Sequence, residues 1–430
     1  MDFRRIHSSS LGKIFLGNFT IQLTSILQVI ILARALGPEG KGIFTEVTLW
    51  PTIIAGFSIL GLYTGIVKCV SKERVFERYN FAKTTLRLTS LLGILGSIVA
   101  VVFSFYHYRN ANSTLLFLAI SYSPFVLVNN IARGFVAIDH GRKDFKSYSI
   151  TRAILNPLFF IIILFLWIFK SLSIRSTVFA LLFANASVAL IRVVLGLKKE
   201  DQSKQEFSSS WLLKYSIRFA PSDFSEPVYA YYDKAIVALV LSSYDLGIYT
   251  VAYSAAALIS ILPNVYSTKI FSDVAGGDSI QKALSSVRQN SILMLVAGLG
   301  LAFLMPYLVP IFVGPAFNEA IIPAIVLLIV CCLKGQSLIL ERTILAKGFP
   351  FVGISAKAIT MIVFALLAFV LKALHFESLL SLVIISIITQ VVYLVYLVLR
   401  MHSLFHIKID LIPKGEDFTL VLKNIKSILK

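Results

Sequence analysis

Twelve apolar runs occupy most of this sequence, at 12–34, 43–69, 86–106, 114–136, 148–169, 174–197, 214–241, 246–269, 287–313, 319–341, 354–374 and 379–400. At 1.5 Å per residue, each is long enough for a helix to cross the hydrocarbon core of a bilayer, about 30 Å thick. Inside lipid a chain must satisfy its own backbone hydrogen bonds, so the runs are read as helices rather than strands. Composition leaves little room for another class: 57% of the 430 residues are hydrophobic and 14% charged, whereas soluble domains carry about 25% charged residues. The expected fold class is an all-α membrane protein of about 12 transmembrane helices, with no length left over for a soluble domain.

The formal charge of +18 would suit nucleic acid if the cations clustered on one surface. They alternate instead. With the N-terminus placed inside, the inward segments hold 32 of the 40 Lys and Arg, and the outward segments hold six: Arg34, Lys41, Arg109, Lys170, Arg175 and Lys372. Lys234 and Lys334 fall mid-span. This is the positive-inside pattern; it puts both termini in the cytoplasm and removes nucleic acid as a partner. The first run has basic residues before it and Ala33-Arg34-Ala35 after it, but it is too long for a signal-peptide core and is kept in the mature chain.

The polar stretch after the sixth run, Lys198 to Glu206 followed by Ser208-Ser209-Ser210, lies near mid-chain. It divides the chain into a six-helix lobe over 1–197, a cytoplasmic linker over 198–213, a second six-helix lobe over 214–400 and a tail over 401–430. Gly42-Ile43-Phe44-Thr45 recurs as Gly247-Ile248-Tyr249-Thr250 at the start of the second helix of each half, as duplication would require. The tail sets Phe418, Val421, Leu422, Ile425, Ile428 and Leu429 on one helical face, an amphipathic helix for the inner leaflet, and Lys72–Arg87 is read the same way.

Charges within spans are expensive, so they face a cavity or a partner. The seventh run holds Asp223, Glu226, Asp233 and Lys234, with Pro221 and Pro227. At about 100° per residue the three carboxylates share an arc of about 80°. That arc suits an ion or proton site facing a central lumen; the bland alternative is a salt bridge, Asp233 with Lys234 or between helices. Lys334 and Glu341 lie on one face of the tenth run, where Lys334 could hold a phosphate or pair with a carboxylate of the seventh run. Glu46 lies near the outer interface, where Arg34 is its bland partner, and the fourth run ends with Asn129, Asn130 and Arg133. The first run carries Asn18, Gln22 and Ser25 on one face and Thr20, Thr24 and Gln28 on another; interhelical hydrogen bonds account for one stripe and a wet lumen for the second.

Nothing points to catalysis or a metal. There is no Walker loop, zincin pair or nucleophile elbow, and Cys69, Cys331 and Cys332 have no metal-site spacing. His402 and His406 have metal-pair spacing but no third ligand, and read as an interfacial tail. Cofactors are expected to be none, with H+ or Na+ as the coupling ion.

Arg34-Ala35-Leu36-Gly37-Pro38-Glu39-Gly40-Lys41-Gly42 resembles the "R-x-L-G-P-x-x-x-G" signature of polysaccharide-exporting flippases, within the multidrug/oligosaccharidyl-lipid/polysaccharide flippase superfamily. Asp233 followed by Gly247-x-Tyr249-x-x-Ala252 is similar to that family's "D…G-x-Y-x-x-A" segment. The resemblance implies two six-helix lobes forming a V around a central cavity. It also implies an undecaprenyl-diphosphate-linked oligosaccharide as substrate, moved across the bacterial inner membrane by ion-coupled alternating access. On that basis Arg34, Lys334, Arg133, Asn18 and Gln22 are the expected substrate contacts. Asp233, Asp223, Glu226, Lys234, Glu46 and Glu341 are the expected ion-coupling set. Membrane lipids and a polysaccharide polymerase are the expected partners of a monomer. Helix-seven charges more acidic than cationic keep open a cation-coupled multidrug exporter of the same superfamily. A polytopic enzyme of polysaccharide assembly is the third reading, which the short outer loops disfavour.

Overall fold

The computed structural model describes residues 10–72, 79–110, 113–199, 205–277, 279–407 and 409–419. Over these residues every apolar run coincides with helix. The first element, α1 (Ser10–Ser58), is two helices merged across Gly37, whose φ of 67° and ψ of −179° break the first run from the second. That backbone region is essentially restricted to glycine. Pro38 behind it disfavours a helical Gly37 and then opens the next helix, where a missing N–H costs nothing. The break in the Arg-x-Leu-Gly-Pro turn is thus one residue wide.

The second run continues through Gly61, at φ 76°, into α2 (Leu62–Val70), with a bend of 47°. Then follow β1 (Tyr79–Asn80), α3 (Ala82–Tyr108), α4 (Ser113–Tyr122), α5 (Phe125–Gly141), α6 (Phe145–Ile168) and α7 (Ile174–Lys199). After β2 (Gln205–Glu206) come α8 (Ser209–Ser216), a 3-10 turn over Ile217–Phe219, α9 (Ala220–Val240), α10 (Ser243–Ala256), a 3-10 turn over Ala257–Ser260, and α11 (Ile261–Ala275). The chain ends with α12 (Ile280–Leu308), α13 (Ile321–Ala346), α14 (Pro350–Ala373) and α15 (Leu379–Phe405).

Among the described residues, eight helices are individually long and apolar enough to cross a membrane, and the bent pair of the first two runs makes a ninth. The seventh and eighth runs fall outside that set. They are interrupted by 3-10 turns, and α9 carries the four charges singled out above. The two runs that bear Asp223, Glu226, Asp233, Lys234, Tyr249 and Tyr253 are therefore among the less regular spans. Large apolar side chains face outward all along the others, as with Phe303 at 74% exposure. A hydrocarbon surrounding, not water, makes that arrangement stable.

The chain packs as two compact units, Asp2–Tyr231 and Tyr232–Lys430. The boundary falls inside α9 rather than in the 198–213 segment, and the reason is local. A methyl group on Gly61 would collide with the Ser216 carbonyl, and one on Gly65 would lie 2.8 Å from the Ser216 Cβ. Glycines thus let α8 sit directly on α2, and the start of the seventh run joins the first unit. A two-residue parallel bridge, Tyr79 to Gln205 and Asn80 to Glu206, fastens the same region. This also corrects the reading of Lys72–Arg87 as one amphipathic segment: Tyr79 and Asn80 are in β1, while Lys83 and Arg87 lie in the opening turns of α3.

Among the described residues of the first unit, two apolar cores stand out. One joins Ile31, Phe44, Tyr122, Phe159 and Val178, and the other joins Ile59, Leu62, Phe81, Phe135 and Leu212. In the second unit Ile270, Val287, Ile339, Val352, Tyr393 and Leu397 form the corresponding core. His406, at φ 52°, ends α15 and turns the tail back. His402 Nδ1 meets the Ile407 carbonyl at 3.0 Å. Asp417 then pairs with Arg288 Nε at 2.7 Å. Burial alone would raise the Asp417 carboxyl, but Arg288, the Lys414 amide and the Ser285 hydroxyl outweigh it and hold it below the ordinary carboxylate range. Residues 420–430, which carry most of the expected tail helix, lie outside the described residues.

Candidate functional site

Each unit holds its own cluster of polar groups. In the second unit, α9, α10 and α13 bring together Asp233, Lys234, Tyr249, Tyr253 and Lys334. Asp233, 9% exposed, accepts from the Tyr249 hydroxyl at 2.8 Å and from the Lys234 amide at 2.8 Å. Lys334 Nζ donates to the Tyr253 hydroxyl at 3.1 Å and lies 5.7 Å from that ring's centroid. Lys234 Nζ approaches the same ring at 5.1 Å. Two ammonium groups thus converge on one phenol, whose π face attracts cations and whose burial strengthens the attraction. Tyr249 and Tyr253 are four residues apart on α10 and stack at 6.3 Å, so one helical face presents both hydroxyls. The pair of cations offers a seat for a group with two negative charges, and Asp233 beside it can hold a proton or a cation.

In the first unit, the broken second run and α9 enclose Asp223. Its Oδ1 accepts from the Thr64 hydroxyl, and its Oδ2 accepts from the Thr64 amide at 3.1 Å. Arg133, on α5, has Asp223 and Tyr63 as electrostatic neighbours and stacks 5.9 Å from the Tyr63 ring centroid. The Tyr63 hydroxyl in turn meets His140 Nδ1 at 3.1 Å. Acid, base and hydroxyl therefore form a connected chain within one unit.

The expected residues do not all gather. The Asp223–Glu226–Asp233 arc divides: Asp223 belongs to the first cluster and Asp233 to the second, while Glu226 is exposed on the same helix. Lys334 and Glu341 share a face of α13 but turn to different partners. Glu341 pairs with Lys357 at 2.8 Å and accepts from the Tyr393 hydroxyl at 2.8 Å. Arg34 is exposed near the Gly37 break, whereas Glu46 is buried beside Tyr108. Gln22 is half-buried on α1, and the side chain of Asn18 lies outside the described residues. The two stripes of the first run do not separate into wet and dry. Ser25 from one and Gln28 from the other both bond to Asn156 of α6, at 3.2 and 2.7 Å.

Several participants are absent from the sequence reading. Tyr253 is signalled by its four-residue spacing from Tyr249, and Tyr63 and Thr64 by their place just after a glycine break. Lys357 and Arg192, which belong to the inward-side cations of the charge pattern, are both buried within helices, and Arg192 pairs with Asp139. Among the described residues no group of three His, Cys, Asp or Glu is placed to hold a metal ion.

Solved structures share this architecture at low sequence identity. A lipid II flippase, MurJ, in an inward closed conformation matches with a TM-score of 0.75 at 13% identity, over 95% of this chain and 89% of that one. An inward-facing multidrug resistance MATE family transporter of the MOP superfamily matches at 0.66 and 14% identity, over 89% and 95%. A MATE protein in a straight conformation matches at 0.63 and 15%, over 94% and 99%. At these identities the likeness is one of fold. No curated protein matches in sequence. Residues 10–271, more than half of the chain, match the family described as polysaccharide biosynthesis protein. The span includes the Arg-x-Leu-Gly-Pro turn and the Asp233–Tyr249 segment, and on that match this transmembrane chain belongs to the polysaccharide biosynthesis protein family.

Proposed function

We propose that this protein is a flippase that carries an undecaprenyl-diphosphate-linked oligosaccharide across the bacterial inner membrane by ion-coupled alternating access. The observation that carries the reading is the convergence of Lys234 and Lys334 on Tyr253. A diphosphate bears the charge that two lysines in a low-dielectric surrounding would hold, and Lys binds phosphate as a point charge without demanding a planar fork. Asp233 beside them, and Asp223 with Arg133 in the first unit, are the coupling groups in this reading. Arg34 remains an expected substrate contact in this reading, and Glu46 and Glu226 remain expected coupling groups. The positive-inside pattern supports cytoplasmic termini.

The test is flipping of polyprenyl-diphosphate oligosaccharide in proteoliposomes. Lys334→Ala and Lys234→Ala are each expected to slow it about tenfold or more, the scale of one charge-assisted contact, with membrane abundance unchanged. Equal slowing of an uncharged lipid-linked sugar would reduce the lysines to packing. A cation-coupled drug exporter is the second reading, favoured by the two buried carboxylates of α9. Export of an organic cation by the parent that Asp233→Asn abolishes, with no flipping of polyprenyl-diphosphate oligosaccharide by the parent, would select it.

A further inference from the structure

Away from both clusters, the first unit contains a cavity of about 560 Å³ between the end of α2, the β1–β2 bridge and α8. Its volume falls within the range of about 300–1,000 Å³ typical of small-ligand pockets. It opens at the end of the bundle that the charge pattern assigns to the cytoplasm. Its walls combine aromatic and hydrogen-bonding side chains: Trp211 and Tyr215 from α8, Tyr79, Gln205 and Glu206 from the bridge, and Lys72 from the end of the second run.

Local sequence builds this wall. Phe207, Trp211, Tyr215 and Phe219 recur every four residues, and their rings contact in series, at 5.4, 4.9 and 5.3 Å between centroids. Phe207 is fixed from behind by Phe81, stacked at 4.6 Å. The Ser208 side chain accepts from the Trp211 amide at the helix start. About a quarter turn round α8 from Trp211, Leu212 is fully buried against the bundle, and Trp211 remains 51% exposed.

An aromatic belt at a membrane interface would account for an exposed tryptophan. It would not account for Gln205, Glu206 and Lys72 around the same cavity. An acyl chain has no use for a carboxylate and an amide, and for a phosphate the repulsion from Glu206 offsets the attraction of the single Lys72. A neutral polyhydroxylated ring matches all of them: its C–H face lies on the aromatic surface, and its hydroxyls donate to Glu206 and Gln205 and accept from Gln205 and Lys72.

We infer that this cavity is a sugar-binding subsite that receives the glycan of the substrate before transport. The inference rests on the flippase reading for its cargo, but it places recognition of the glycan in a different part of the chain from recognition of the diphosphate. The experiment measures binding of polyprenyl diphosphates, bare or carrying glucose, galactose, N-acetylglucosamine or N-acetylgalactosamine, to the full chain in nanodiscs. At least one sugar should bind tighter than the bare lipid. Trp211→Ala should erase that advantage, a loss of about tenfold for stacking and linked hydrogen bonds, while Trp211→Phe retains most of it and bare-lipid affinity stays the same. If Trp211→Ala fails to reach the membrane, Gln205→Ala with Glu206→Gln, both at exposed positions, makes the same comparison. The subsite is overturned if no sugar in the panel adds affinity, if the advantage survives these changes, or if bare and glycosylated lipids weaken equally. Lys334→Ala in the same assay should weaken every diphosphate lipid alike. Failure of that arm alone would count against the flippase reading and leave the subsite standing.

Discussion

Lys357 is 4% exposed and has Glu341 within ion-pair distance, with the Tyr393 hydroxyl on the other carboxylate oxygen. Removing one partner of such a pair leaves an uncompensated charge in a dry surrounding, at a cost of about 3–5 kcal/mol, whereas removing both is often neutral. Lys357→Met should therefore lower the unfolding midpoint in detergent sharply, and Glu341→Leu combined with Lys357→Met should recover most of the loss. A single variant as stable as the parent would show that the carboxylate is not held by this lysine. Glu341→Gln that folds normally yet abolishes ion-coupled transport would give Glu341 a coupling role beyond the pairing. Such contacts are the part of the molecule least legible in the sequence. Asp139 and Arg192 pair although they lie 53 positions apart in the chain, and only the packing of α5 on α7 tells a solvated cation from a buried one. What could be read was narrower: a charge inside an apolar run is engaged, though with whom is a matter of tertiary structure.

At the scale of elements the sequence was far more informative. Run lengths found the helices because lipid imposes one length on every span. The breaks within runs were harder, since a 3-10 turn at Ile217–Phe219 or Ala257–Ser260 leaves no gap in hydropathy. The Gly37 break was legible as a motif and has a definite cost attached. No atom lies within 4 Å of a methyl group added at Gly37, so its constraint is one of backbone rather than space. Gly37→Ala should destabilise by about 1–3 kcal/mol, the penalty for a side chain in that region of φ and ψ. Gly300, equally open but helical on α12, is the control. Gly300→Ala should be neutral or slightly stabilising. Equal melting of the two variants would mean that the break relaxes into continuous helix. The match of Gly42–Thr45, at the start of the second run, to Gly247–Thr250 similarly located α10, where a capping box between Ser242 and Asp245 starts the helix.

For the whole molecule, the chain's own punctuation and its packing disagree. The polar stretch near residue 200 marks a pause in the sequence, yet α8 and the opening of α9 belong with the residues before it, and the second compact unit begins at Tyr232. The consequence reaches protein engineering. If the gene is divided between residues 199 and 205, the downstream product carries away a helix whose matching surface, at Gly61, Gly65 and the edge of Tyr79–Asn80, remains on the upstream product. Two such polypeptides made in the same cell should find one another and co-purify without any added dimerisation tag. Bulky replacements at Gly65 should abolish the rescue.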